Sequence, residues 1–256
     1  MRRIILYLII VLLCAWGWVT YSNHPKVIMN RLDIADITLG KGSLHYRLYA
    51  FGLLPVGDAV MYTPVSEDFK GVAVHHLRAR ATTLPYLKFI ISGLVELDSY
   101  VDLKTLNPLL FRQRFFVKNK TDSLKEAWYD QQAGEMTLKG VRRQILPDTQ
   151  DHLSAIYRLR RSNLSALKEF DMNINTNQKN YSLKGSVQET QAISVRGKSY
   201  ALLTLQAQVS RRDKNPYHRS RMSMVMLKDK SNLPILIKVF ASGGIIHARL
   251  IAVGKK

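Results

Sequence analysis

The sequence predicts a mainly β protein: a large curved antiparallel sheet or open barrel-like β-clam with one or two short helices, preceded by an N-terminal apolar helix. Three observations predict it. Beyond Ser43 most of the chain alternates apolar and polar residues with period two, the pattern of strands with one buried and one wet face. Pairs of turn-forming residues divide these stretches. One segment alone, 149–161, carries a clear helical period in the body of the chain.

The N-terminus comes first. Met1-Arg2-Arg3 is a basic start, and Ile4 to Val19 follows without a charge. At about sixteen residues the run is long for a signal-peptide apolar region and slightly short for a membrane span. Ala15-Trp16-Gly17 and Thr20-Tyr21-Ser22 offer small-x-small cleavage sites, whereas Trp16, Trp18 and Tyr21 suit the interface of an uncleaved anchor. Residues 1–22 are therefore read as a signal peptide or membrane anchor, 23–42 as a linker with a helical turn at 31–37, and 43–253 as a single β-rich envelope domain. The expected place is the bacterial cell envelope, periplasmic and either soluble or anchored in the inner membrane through residues 4–19. Cys14 is the only cysteine and lies inside the apolar run, so disulfides do not hold the body together.

Strands are expected at 44–50, 58–65, 71–82, 94–102, 108–118, 123–130, 134–140, 181–188, 201–209, 219–229, 233–241 and 245–253. Between the first two sits Gly52-Leu53-Leu54-Pro55-Val56-Gly57. Its glycines and proline suit a hairpin connection, and its apolar residues suit a lid over the protein's own core or a surface offered to a hydrophobic partner. Residues 84–93 are nearly all apolar and read as a short helix or a hydrophobic rim. In 149–161, Leu153, Ile156, Tyr157 and Arg160 share one helical face. Asp148 or Thr149 would cap that helix and Asp151 would fall in its first turn.

The chain carries 38 Lys+Arg against 19 Asp+Glu, a formal net charge of +19. Such a surface attracts polyanions. Export argues against nucleic acid and favours lipid, an anionic envelope polymer or another envelope protein as partner. The densest cluster is the hairpin 211–221, where Arg211, Arg212, Lys214, Arg219 and Arg221 surround Tyr217. Converging arginines beside an aromatic ring can grip phosphate or carboxylate; the plainer reading is a solvated hairpin tip.

Four stretches, in order, resemble the bacterial exported family known as domain of unknown function 3108. They are YRLYAFGLLPVGDAV with Tyr46, Gly52, Pro55 and Gly57; ELDSYVDLKTLNPLLFRQRF with Tyr100 and Pro108; DHLSAIYRLR with Asp151, Ser154, Tyr157 and Arg160; and LPILIKVFASGGIIHARL with Pro234. The resemblance implies an exported, β-rich envelope protein and brings no activity, cofactor or catalytic residue; these positions read as structural. One departure stands out: residues 222–232, MSMVMLKDKSN, hold three methionines where the family often has an acidic or tryptophan-bearing strand. If that strand lines a site, the ligand differs.

Chemistry finds little support. The seven histidines show no HxH or HExxH spacing, so no metal is expected. No glycine-rich phosphate loop is present and no cofactor is expected. Asp151, His152 and Ser154 are too close along one helix to act as nucleophile, base and orienter. The expected function is a non-catalytic binding module for an apolar, lipid-like or anionic envelope ligand. The alternatives are an assembly protein docking another envelope protein, and a glycan hydrolase whose carboxylate pair the sequence does not identify.

Overall fold

The computed structural model describes residues 23–32, 42–88, 93–117, 123–212, 220–241 and 244–254. Residues 1–22, with the expected leader and apolar helix, lie outside them. Among the described residues no helix is long and apolar enough to cross a membrane.

The strands are β1 (Leu44–Ala50), β2 (Leu54–Met61), β3 (Val65–Phe69), β4 (Val72–Thr83), β5 (Gly93–Asp102), β6 (Pro108–Val117), β7 (Ser123–Asp130), β8 (Glu135–Leu138), β9 (Val141–Gln144), β10 (Glu169–Thr176), β11 (Lys179–Val195), β12 (Lys198–Arg211), β13 (Ser220–Leu227), β14 (Pro234–Ala241) and β15 (Gly244–Val253). The helices are α1 (Pro25–Asn30) and α2 (His152–Arg161). One antiparallel sheet runs β10-β11-β12-β13-β14-β15-β1-β2-β4-β5-β6-β7-β8-β9, with β3 on β4. Antiparallel pairing sends alternate turns to opposite ends. Turns 51–53, 84–88, 139–140 and 177–178 lie at one end, called upper here; 70–71, 103–107, 131–134, 196–197 and 228–233 lie at the lower end.

The sheet curls until its two ends nearly meet. Gln178 Nε2 donates to the Val141 carbonyl at 2.7 Å, Asn180 Nδ2 donates to the Gln144 carbonyl at 3.0 Å, and Gln150 bridges to β10 by exchanging backbone bonds with Asn173 and Asn175. Side chains thus close much of the seam that a strand ladder would close in a full barrel. Inside stands α2. Leu153 and Tyr157 pack with Leu77, Val101, Phe111, Tyr129 and Met136, while Ile156 and Leu159 pack with Leu203, Leu205, Met224 and Met226. The sequence suggests one apolar stripe; the helix is covered on two sides because the curved sheet faces it twice.

The 23–42 segment is more than a tether. α1 lies on β11, β14 and β15, and Ile28, Met29 and Leu32 are fully buried with Leu202, Val225, Leu227 and Leu236. The helix forms at Pro25–Asn30, where Pro25 fits the first turn and His24 caps it, and most of the turn expected at 31–37 lies outside the described residues. Strands β3, β9 and β10 were not expected; they are short or polar, and their patterning alone does not separate them from loops.

The insert also differs from expectation. The turn is Phe51 to Leu53, with Gly52 at φ 73°, and Leu54 already opens β2. Gly57 is a strand residue: a Cβ there would meet the Thr82 carbonyl oxygen at 2.7 Å. Its smallness serves the close approach of β4 rather than the turn. Gly57→Val should destabilise the fold by about 1–3 kcal/mol through overpacking, read as a lower urea midpoint; an unchanged midpoint contradicts this contact.

At the start of the described chain, Asn23 Nδ2 bonds His247 Nδ1 at 3.0 Å and Arg249 donates to Asn23 Oδ1 at 2.5 Å. Burial lowers the His247 pKa from 6.5 to about 4, with the Lys238 and Arg249 cations adding to the shift. The folded imidazole stays neutral where the unfolded one takes a proton. Its contribution to stability is therefore complete above pH 6.5 and lost as pH falls toward about 4. Thermal melts over this window should show a loss that a His247→Asn chain does not share; identical pH profiles refute it.

Candidate ligand-binding surface

The family-motif residues are mostly framework. Tyr46 is buried and donates to the Pro234 carbonyl at 2.8 Å, joining the first and last of the four motif stretches; desolvation raises its phenol pKa. The Pro55 carbonyl accepts from Tyr86 Oη, and Pro108 opens β6 opposite Val101. Tyr157 meets His75 edge-on, with ring centroids 5.4 Å apart. The Arg160 carbonyl accepts from Asn232 Nδ2 at 3.0 Å, and burial lowers the pKa of the Arg160 guanidinium.

Asp151 is the helix cap itself, not a first-turn residue. Its Oδ1 accepts from Leu153 N at 2.7 Å and Ser154 N at 3.0 Å, its Oδ2 accepts from Ser99 Oγ at 2.6 Å, and Ser154 Oγ bonds Asp151 N at 2.9 Å. This reciprocal box occupies both members that a hydrolase trio would need. Burial raises the Asp151 carboxyl pKa, opposed by the Ser99 bond and the backbone amides. Removing the carboxylate strands a hydroxyl and two helix amides in the core. Asp151→Ala should cost about 2–3 kcal/mol, and Asp151→Asn, which keeps an acceptor for the amides, should recover most of it in denaturant melts. Equal losses in both variants would contradict the cap.

The basic hairpin is described only in part. β12 ends at Arg211 and β13 starts at Ser220; Lys214, Tyr217 and Arg219 lie outside the described residues. Arg212 lies 3.5 Å from Asp171 and donates to Asn173 Oδ1 at 2.7 Å, so it braces β10. Arg221 is exposed and borders a groove of about 890 Å3 lined by Glu169, Phe170, Asp171, Lys184, Gly185 and Gln208 among others. Lys184 sits 3.2 Å from Asp171 in this lining. Gly185 is required there: a Cβ would meet the Phe170 ring at 2.6 Å and the Gln206 carbonyl at 2.5 Å. The three methionines of β13 do not line this groove as a set. Met224 and Met226 are fully buried beneath α2.

Sequence reasoning missed a second outer-face feature. Tyr100 stacks between Phe69 and His76 at 4.4 and 4.3 Å, Trp128 lies 6.1 Å from Phe69, and Lys70 Nζ sits 4.0 Å above the Trp128 ring. His76 stands between Asp98 at 2.9 Å and Glu67 at 3.3 Å. Beside it a charge ladder crosses β4 to β7, with Arg80–Glu96 at 3.8 Å and Arg112–Glu126 at 2.7 Å. The signal was present as like-sign charges two residues apart on β4, β5 and β6, but only the register brings opposite signs together. Glu96, Asp98 and Glu126 are engaged in these pairs. Among the described residues no three His, Cys, Asp or Glu side chains converge to hold a metal ion.

With this geometry in hand, comparison defines the class: a barrel-like β domain of unassigned activity. The chain belongs to the family described as "Protein of unknown function (DUF3108)", whose profile matches residues 45–251. The fold is similar to a crystal structure of a beta-barrel-like protein of domain of unknown function DUF1849 from Brucella abortus. That likeness has a TM-score of 0.55 at 12% identity and covers 82% of this chain and 95% of that one. No curated protein matches the chain.

Proposed function

We propose that this is an exported protein of the bacterial envelope, on the periplasmic side, that acts as a non-catalytic binding module for an anionic, lipid-like ligand. The observation that carries the reading is the placement of space and charge. The interior of the curled sheet is filled by α2, while an open groove of about 890 Å3 lies outside it beside the basic hairpin. Arg221 and Lys184 border that groove beside Glu169 and the Lys184-paired Asp171, which leaves Arg221 as its cation for an anion, and Phe170 gives it an apolar contact. Arginine suits phosphate or carboxylate there. The capped state of Asp151 and Ser154 supports binding over catalysis. The charged leader start and apolar run support export.

Soluble protein for the test must begin at or before Asn23, since α1 belongs to the core. Native mass spectrometry should show a retained anionic lipid-class mass, and the body should bind phosphatidylglycerol vesicles in a salt-sensitive way. Arg221→Ala combined with Lys184→Ala should weaken that binding several-fold without moving the melting temperature. A folded body that carries no ligand and ignores anionic vesicles would overturn the reading.

A further inference from the structure

We propose that the upper end of the curled sheet docks on the anionic bilayer into which residues 4–19 insert. The inference rests on the reading of that run as a retained membrane segment, and it is independent of the groove. Its first support is chain length. Residues 20–22 alone separate Val19 from Asn23. An extended chain covers at most ~3.6 Å per residue, so Asn23 lies within roughly 14 Å of the apolar run. Asn23 is no loose tether: it is bonded to His247 and Arg249 on β15. From there α1 runs toward the lower end, where Arg196 donates to the Asn30 carbonyl at 3.3 Å. The end of the sheet nearer the run is therefore the upper one.

That end also has the right surface. Phe51 is 66% exposed, Leu54 51%, Tyr86 50% and Ile246 44%. Register places Val239, Ile246, Ala50 and Leu54 in one row across β14, β15, β1 and β2, on the face that carries Ala248 and Leu250 into the core below. The core thus continues upward into an apolar mouth. The carboxylates of the described turns divide the same way. The upper turns 51–53, 84–88, 139–140 and 177–178 carry none, while Lys88, Lys139 and Lys179 are exposed at or beside them and β12 ends in Arg211, with Arg212 following. At the lower end Asp68, Asp102, Asp130 and Asp229 each cap a turn by accepting backbone amides. The lower turns hold cations too, Lys70, Lys104, Arg196, Lys228 and Lys230, but among them stand these carboxylates. Apolar side chains beside cations with no carboxylate between them suit the interface of an anionic leaflet.

The test uses the full chain in vesicles of phosphatidylethanolamine and phosphatidylglycerol. With Cys14→Ser, single cysteines replace Phe51, Leu54 or Ile246 at the upper end and Val72 or Lys104 at the lower, each bearing an environment-sensitive fluorophore. Nitroxide-labelled lipids should quench the upper sites several-fold more than the lower. Equal quenching, absent upper quenching, or a processed chain that leaves the vesicles overturns the proposal. Should a labelled chain misfold, hydrogen exchange of the unmodified chain decides: bilayer should slow 51–54 and 85–88 and leave 70–71 and 131–134 unchanged, and uniform exchange at both ends overturns it. Arg221→Ala should leave the quenching pattern intact, which separates this surface from the groove.

Discussion

Asp151 holds α2 in place by accepting from Ser99 on β5 and from two amides at the start of the helix. The rest of the fold depends on that helix being there. A single sheet curled this far would enclose a lumen, and the lumen would need either water or side chains. Here α2 supplies side chains to both halves: Leu153 and Tyr157 toward β4 to β8, Leu159 and Ile156 toward β12 and β13. The carboxylate that anchors it is buried, which is tolerable because donors from two elements satisfy it.

This filling decides where open space remains. With the interior occupied, the groove bordered by Lys184 and Arg221 opens away from α2, and the apolar row of Val239, Ile246 and Leu54 is exposed only at the upper mouth, away from the turns that Asp68, Asp102, Asp130 and Asp229 cap. The pinning of Asn23 to His247 and Arg249 fixes where the described chain enters the body.

Much of the architecture was legible in the residues. Period two marked β1, β4 to β7 and β11 to β15, and helical spacing marked α2, because each has one face in the core and one outside. The shape of the site was not. Gly57 looks like a turn glycine in the sequence, yet it sits in a strand close to the Thr82 carbonyl, and Gly185, inside an expected strand, gives no sign that the Phe170 ring lies over it. Arg212 reads as a ligand-binding cation, but register sets it against Asp171. The Tyr100 stack and the β4 to β7 charge ladder depend on which strands are neighbours, and no local pattern encodes that. The methionines of β13 were ambiguous between a site and a core, and α2 made them core.

Native-state hydrogen exchange of α2 tests the buried-helix claim most directly. If the helix is the filling of the curled sheet, the amides from Ala155 to Leu159 exchange only through global unfolding, with a denaturant dependence equal to that of the whole domain. If those amides exchange through small local openings while the strands stay protected, the helix is an accessory to the sheet and the interior is open to other occupants.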